Sequence, residues 1–218
     1  MTISKAIKTV LVIFLLHPSI PYSYGQGTGK EIIELSDAPS SQIDLRRTDC
    51  RSRLSYYEAL QNWKTVKEVS NWIAQNFEYD MDRAMQLANN SKTRGKTNIY
   101  KPEELFHHKK GVCIDLARFA LETIQAIDPA INVKYLLIEF EPVLMDNRIF
   151  KNHWMIMYKE DDQLYMMADT KRPGHISGPY NNTAEFITAY QDFRKRQIIS
   201  YKITDTYKKR RLRKSLKK

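Results

Sequence analysis

Cys113, His153 and Asp169 are the residues whose types and order could do chemistry in this sequence. Cys113 follows Gly111-Val112 inside the stretch Lys109 to Ile127 (KKGVCIDLARFALETIQAI), where Ala117, Ala120, Leu121, Ile124 and Ile127 recur at three- and four-residue steps. That spacing predicts an amphipathic helix packed into a core, with Cys113 in its first turn. Unpaired backbone N–H groups and the positive end of the helix dipole favour a thiolate there, and the thiolate is the nucleophilic form. A buried, inert thiol is the competing reading, because free cysteine is among the most buried residue types.

A thiol nucleophile needs a base for its proton, and an imidazole base needs a third group to hold its tautomer and stabilise its charge. His153 opens one β-rich segment, His153 to Tyr158 (HWMIMY), and Asp169 closes the next, Leu164 to Asp169 (LYMMAD). Lys159 to Gln163 between them reads as a polar hairpin loop. Pairing Tyr158 with Leu164 sets His153 opposite Asp169 on one face, with Cβ atoms about 5 Å apart. A register shift of one residue brings Ala168 there instead. Singly, a His at a strand start and an Asp at a strand end have ordinary structural explanations. Jointly with Gly-Val-Cys they form an ordered set of nucleophile, base and orienting acid.

The elements that must position these residues follow from periodicity. Leu60, Trp63, Val66, Val69, Trp72 and Ile73 predict one or two helices over Tyr56 to Asn76, their apolar stripe turned to the core. Phe77 to Asp80 breaks the pattern, and a shorter helix through Leu87 is expected before a loop from Asn89 to Asn98. Pro102 to Phe106 suits a short helix with Pro in its first turn. Val133 to Phe140 (VKYLLIEF) reads as a strand with both faces partly covered, and Pro142 to Asn152 as a connection. Thr183 to Phe193 reads as a helix capped by Thr183, and Gln197 to Thr204 as a last strand. Helices followed by strands indicate an α+β fold with an antiparallel sheet.

The chain has 218 residues, enough for one well-packed domain plus tails. Of the formal charge of +10, +8 lies between Thr206 and Lys218, which leaves +2 on the remainder. The tail Tyr207 to Lys218 (YKKRRLRKSLKK) would attract anionic lipid, cell-surface polymer or nucleic acid, with a solvated end as the plainer reading. No aromatic-rich basic sheet accompanies it, so a specific nucleic-acid reader is not expected. Residues 1–25 read as a secretory signal: Lys5 and Lys8, the apolar run Thr9 to Leu16, then Ser23-Tyr24-Gly25 before Gln26. The run is shorter than the roughly 20 residues of a bilayer span, and an uncleaved N-terminal anchor is the alternative. Residues 26–53 read as a linker or loosely ordered arm, 54–205 as the folded domain and 206–218 as the tail. Export, periplasmic or extracellular, would permit a Cys50–Cys113 disulfide, which would remove the nucleophile.

With these residues in view, the stretch from about Tyr56 to Thr170 resembles the transglutaminase-like superfamily. The matching pieces are Trp72 to Asp80 (WIAQNFEYD), Gly111-Val112-Cys113 with Asp115 and Ala117, His153-Trp154, and Asp169-Thr170. Met81 to Asn98 and Lys171 to Tyr180 match nothing in that pattern. The resemblance implies a papain-like core with N-terminal helices and a central nucleophile helix packed on an antiparallel sheet. It implies Cys113 as nucleophile, His153 as general base and acid, and Asp169 as orienting residue. The implied reaction is acyl transfer on protein or peptide amides, with the Cys113 N–H helping to hold the oxyanion. Water as acceptor makes a hydrolase and an amine makes a cross-linking transglutaminase; an inactive binding or structural module of the same fold is the rival. No cofactor or metal site is expected: adjacent His107-His108 point to different sides of a helix and no ligand cluster surrounds them. His175 lies in a Gly- and Pro-rich loop, at the cleft rim or simply in a polar loop. Asn89 and Asn181 begin glycosylation sequons, meaningful only on a eukaryotic secretory route.

Overall fold

The computed structural model describes residues 34–39, 54–93, 98–145 and 148–207. Cys50, the segment 1–25 and most of the basic tail lie outside the described residues. Two capped helices open the domain. Helix α1 (Tyr56–Asn62) starts at Ser55 and α2 (Val66–Asn76) at Thr65, and in each the N3 glutamate, Glu58 or Glu68, returns to the cap backbone. These capping boxes satisfy donors that a helix start leaves orphaned, which is why the apolar stripe splits into two helices between Asn62 and Thr65. Strand β1 (Glu78–Tyr79) then pairs in parallel with β2 (Lys110–Gly111), and Asp80 N–H donates to the Gly111 carbonyl at 2.8 Å.

Between β1 and β2 lie α3 (Met81–Thr93) and α4 (Pro102–His108). Helix α3 runs through positions expected to be loop. The Asp80 carboxylate accepts the Arg83 N–H at 2.9 Å and so starts the helix. Helix α4 begins with Pro102 and ends at Lys109, whose φ of 56° turns the chain sharply into β2. Helix α5 (Cys113–Ile127) follows at once, with only Val112 between β2 and its first turn.

The rest is mostly a five-stranded antiparallel sheet. Strands β3 (Val133–Met145), β4 (Arg148–Glu160), β5 (Gln163–Met167), β6 (Ser177–Tyr180) and β7 (Ile198–Thr204) stand in the order β6-β5-β4-β3-β7. Helix α6 (Thr183–Arg194) precedes β7, and its cap is Asn182 rather than Thr183, the Asn182 side chain accepting the Glu185 N–H at 3.0 Å.

Core packing gives the layers. On one face of the sheet, Tyr135, Ile156 and Met167 meet Leu116, Phe119, Ala120 and Ile124 of α5, with Val69, Ile73, Leu105 and Phe106 of the other helices behind. On the opposite face, Leu136, Ile138, Phe140, Met155 and Met166 pack with Phe186 and Tyr190 of α6. Each large apolar side chain buried this way contributes about 1.5–3 kcal/mol, so the sheet is pinned from both sides. This double cover explains the apolar character of VKYLLIEF. The chain has an α+β fold with α5 packed on an antiparallel sheet.

The central strands also depart from the expected bounds and register. Pro142 to Asn152 is not a connection, because β3 continues to Met145 and β4 begins at Arg148. A register irregularity between Glu139 and Val143 sets Pro142, which has no N–H to donate, outside the regular pairing. The β4–β5 loop is also shorter than expected. Its turn residues are Asp161 and Asp162, with φ of 50° and 59°, and Glu160 pairs with Gln163. Two positive-φ residues make the tight hairpin turn that matches strand twist, and Asp tolerates that conformation better than most residues. Tyr158 consequently faces Tyr165, one position away from the expected register.

Candidate active site

Cys113 is the first residue of α5, a free thiol, 8 % exposed. Its placement is fixed by the fully buried Asp115 two residues on. One carboxylate oxygen of Asp115 accepts the Val112 N–H at 3.1 Å and Arg83 Nε at 2.6 Å; the other accepts the Tyr100 N–H at 2.9 Å and an Arg83 Nη2 proton at 2.9 Å. Asp115 therefore ties the start of α5 to α3 and to the chain entering α4. Gly111 completes the tight entry: a Cβ there would stand 2.7 Å from Leu105 Cδ1 and 3.2 Å from Asp115 Cβ.

His153 lies on β4 opposite Ile138 and is fully buried. Its ring stacks on Tyr190 of α6 with centroids 6.0 Å apart, and Phe140 lies beyond at 6.5 Å. Nε2 stands 3.3 Å from Asp169 Oδ1, and Nδ1 stands 3.1 Å from Oδ1 of Asp37. Both are ion-pair contacts rather than aligned hydrogen bonds. The sulfur of Cys113, a ring nitrogen of His153 and a carboxylate oxygen of Asp37 lie within 4.8 Å of one another.

Asp169 reaches the imidazole by a route other than strand pairing. Ile156 pairs with Met167, so a continued β5 would set Thr170, not Asp169, opposite His153. Strand β5 stops at Met167, and Ala168 takes a φ of 66°, which breaks the alternation of faces and turns Asp169 toward the ring. The carboxylate is then held from several sides. It accepts the Tyr190 hydroxyl at 3.0 Å and the Lys171 N–H at 2.9 Å, and Arg172 Nε lies 3.2 Å from its second oxygen.

Asp37 belongs to a stretch expected to be linker, and composition around it carries no signal of a site. Tyr190, Arg194 and Lys171 likewise carry no sequence pattern that marks a site. Arg194 donates to Tyr190 Oη at 2.9 Å and to Asp37 Oδ1 at 2.8 Å from a buried position.

Charge follows from this layout. Burial works against a charge on His153, but Asp37, Tyr190 and Asp169 outweigh it and hold the imidazole protonated well above its usual range. Burial likewise opposes charge on the two aspartates, and the imidazolium with Arg194 keeps both well below the ordinary carboxylate range. At Cys113, burial pushes the thiol up and the Asp37 carboxylate adds to the rise, while His153 and a backbone hydrogen bond from Trp154 pull it down. Asp37, Cys113 and His153 also have the donor types of a metal site. Arg194 already supplies a positive charge 2.8 Å from the Asp37 oxygen, so that carboxylate has its cation. His107, His108 and His175 are exposed and none joins the cluster.

The transglutaminase-like domain family matches residues 50–197, more than half of the chain. The chain belongs to that family. Asp37, Cys113 and His153 lie close together as in the Cys–His–Asp triad of a cysteine enzyme. Within this transglutaminase-like domain Asp169 lies inside the matched stretch and Asp37 outside it. No curated protein matches the chain.

Proposed function

We propose that this transglutaminase-like protein is a thiol enzyme performing acyl transfer on protein or peptide amides, with Cys113 as nucleophile, His153 as base and acid, and Asp169 as orienting residue. The observation that carries the reading is a thiol at a helix N-terminus beside an imidazole whose far nitrogen is held by a buried carboxylate 3.3 Å away. With Asp169 at Nε2, proton exchange with the sulfur is assigned to Nδ1, the nitrogen that Asp37 meets at 3.1 Å in this structure. The thiolate attacks the amide carbonyl, and the C–N bond breaks as His153 delivers its proton to the departing amine. The Cys113 N–H, at the first position of the helix and so without an intrahelical acceptor, would help hold the developing oxyanion. Water then attacks the thioester, His153 takes its proton, and the acid is released with the thiol restored. Hydrolysis is preferred over cross-linking because water is the default acceptor.

The test is acylation by an activated ester such as p-nitrophenyl acetate, followed by intact-protein and peptide mass spectrometry. One acyl group on Cys113, absent from Cys113→Ala and slowed in His153→Ala, is the expected result. No adduct on Cys113, in the chain as it stands and with Asp37→Ala alike, would leave a binding module of the same fold. Dansylcadaverine offered with a protein substrate separates the acceptors: amine incorporation reveals a cross-linker, and new carboxylates without incorporation a hydrolase. We further propose export through residues 1–25 and contact of the basic tail with anionic cell surfaces; truncation before Thr206 is expected to abolish binding to anionic vesicles and to leave Cys113 acylation unchanged. Among the described residues no helix is long and apolar enough to cross a membrane.

A further inference from the structure

Residues 34–37 lie against the site as a bound peptide would. The Glu34 carbonyl accepts from Lys171 Nζ at 3.2 Å, the Leu35 carbonyl from Arg196 Nη1 at 2.8 Å, and the Ser36 carbonyl from Arg194 Nη2 at 3.2 Å and Lys171 Nζ at 3.5 Å. The next residue is Asp37, whose carboxylate takes Arg194 at 2.8 Å and stands 3.1 Å from His153 Nδ1. Three consecutive carbonyls and one acidic side chain are thus met by three cationic side chains, each no more than 8 % exposed. Cations are retained at such depth when an anion or aligned carbonyls compensate their lost hydration. Lys171, Arg194 and Arg196 lie inside the family-matched stretch, and residues 34–37 lie upstream of it.

The position of Asp37 is wrong for a second orienting acid. Asp169 already occupies Nε2, and Nδ1 has one proton to share. A carboxylate at Nδ1 therefore competes with the thiol for that nitrogen, and its charge beside the sulfur opposes a thiolate. We propose that Lys171, Arg194 and Arg196 form a subsite beside Cys113 for a turned peptide bearing a carboxylate, and that residues 34–37, a short helical turn running into a bend, fill it as an internal competitor of substrate. The substrate class is an acidic peptide, with a side-chain or terminal carboxylate where Asp37 now stands. The binding half of this inference is independent of catalysis; the competition half rests on the reading of Cys113 as nucleophile.

The test uses the full chain with Asp37→Ala, and with Asp37→Asn as the variant that preserves side-chain shape if the first fails to fold. The probe is a fluorescent, end-blocked peptide of residues 34–39 (ELSDAP), followed by polarisation, with iodoacetamide alkylation of Cys113 as the second readout. A segment in place nine-tenths of the time leaves about one-tenth of the sites free, so the peptide should bind the variant about tenfold tighter than the unaltered chain. Binding should vanish when Arg194→Gln is added, or when the Asp of the peptide becomes Asn. Cys113 alkylation should rise about tenfold in the variant and fall again when peptide is added. Slower alkylation in Asp37→Ala would make Asp37 a working part of the triad and overturn the proposal, as would peptide binding indifferent to Arg194. Peptide binding with the expected dependence, but a Cys113 no more reactive than in unfolded chain in any variant, would retain the subsite and remove the enzyme reading.

Discussion

Asp169 holds Nε2 of His153 at 3.3 Å while its same oxygen accepts the Tyr190 hydroxyl at 3.0 Å. Tyr190 in turn stacks on the imidazole, so one residue fixes both the acid and the plane of the base. Asp169→Asn keeps the shape and removes the charge. Acylation of Cys113 is expected to fall by about 10²-fold, within the range that positioned proton transfer contributes. The pH at which the rate changes should move down, because the imidazole loses one of the carboxylates that hold it protonated. Asp169→Glu should restore part of the rate, and an unshifted pH profile in the Asn variant would count against the orienting role.

The buried charges also set how stability varies with pH. Asp37 and Asp169 have depressed pKa values in the fold, so their contribution is present above the unfolded carboxylate value near 3.9 and is lost as pH falls through the folded values. His153 is raised, so its contribution is complete below the unfolded value near 6.5 and is lost as pH rises through the folded one. The urea midpoint should therefore peak between about pH 4 and 6.5 and decline on both sides. His153→Asn cannot titrate and should flatten the alkaline decline. An unchanged alkaline slope in that variant would assign the decline to other groups.

The start of the nucleophile helix depends on a buried acid far more than on local propensity. Among the described residues, Asp115→Ala removes the only carboxylate paired with the Arg83 guanidinium, which keeps the Asn98 carbonyl at 2.6 Å, and leaves the Val112 and Tyr100 N–H groups without their acceptor. Breaking a buried ion pair from one side costs about 3–5 kcal/mol. Asp115→Asn keeps part of the hydrogen bonding and should cost less. Urea unfolding gives the stability, and Cys113 acylation on the same samples should fall further in the Ala variant, because the sulfur sits two residues from the lost anchor.

How much of this was legible depended on whether the signal was local. Helix α5 follows the three- and four-residue spacing of Ala117 to Ile127; Ala117, Ala120, Leu121 and Ile124 are buried with Leu116 and Phe119, and Ile127 is partly buried against them. The strand reading at Val133 also has a local basis, although Pro142 hid the continuation that a bulge makes possible. The hairpin register differs from the expected one because the turn is Asp161-Asp162, without the glycine usual in a two-residue turn. Asp169 nevertheless stands beside His153, through a positive φ at Ala168 that no residue pattern announces. Asp37 was illegible for a stronger reason: its place is set by Arg194 and Lys171, far along the chain, within a stretch having no periodicity of its own.

The unassigned stretch after Asp169 has a structural duty that two glycine variants can measure. Gly174 has a φ of +76°, and a Cβ there would stand 2.4 Å from Ala74 Cβ and 2.6 Å from Ala74 N and Ser70 O. Its carbonyl accepts the Ser70 hydroxyl at 2.6 Å, so this turn is fastened onto α2. Gly174→Ala combines a disfavoured backbone conformation with overlap against helix backbone, which cannot yield. Gly111→Ala meets mainly the end of a leucine side chain, at 2.7 Å, and lies outside the positive-φ region. Overpacking of the second kind costs about 1–3 kcal/mol, and the first should exceed it by about 1 kcal/mol or more through the strained φ. Because the turn directly follows Asp169, Gly174→Ala should also shift the pH profile of Cys113 acylation toward that of Asp169→Asn. Equal unfolding costs for the two variants, with identical profiles, would detach the turn from the placement of the acid.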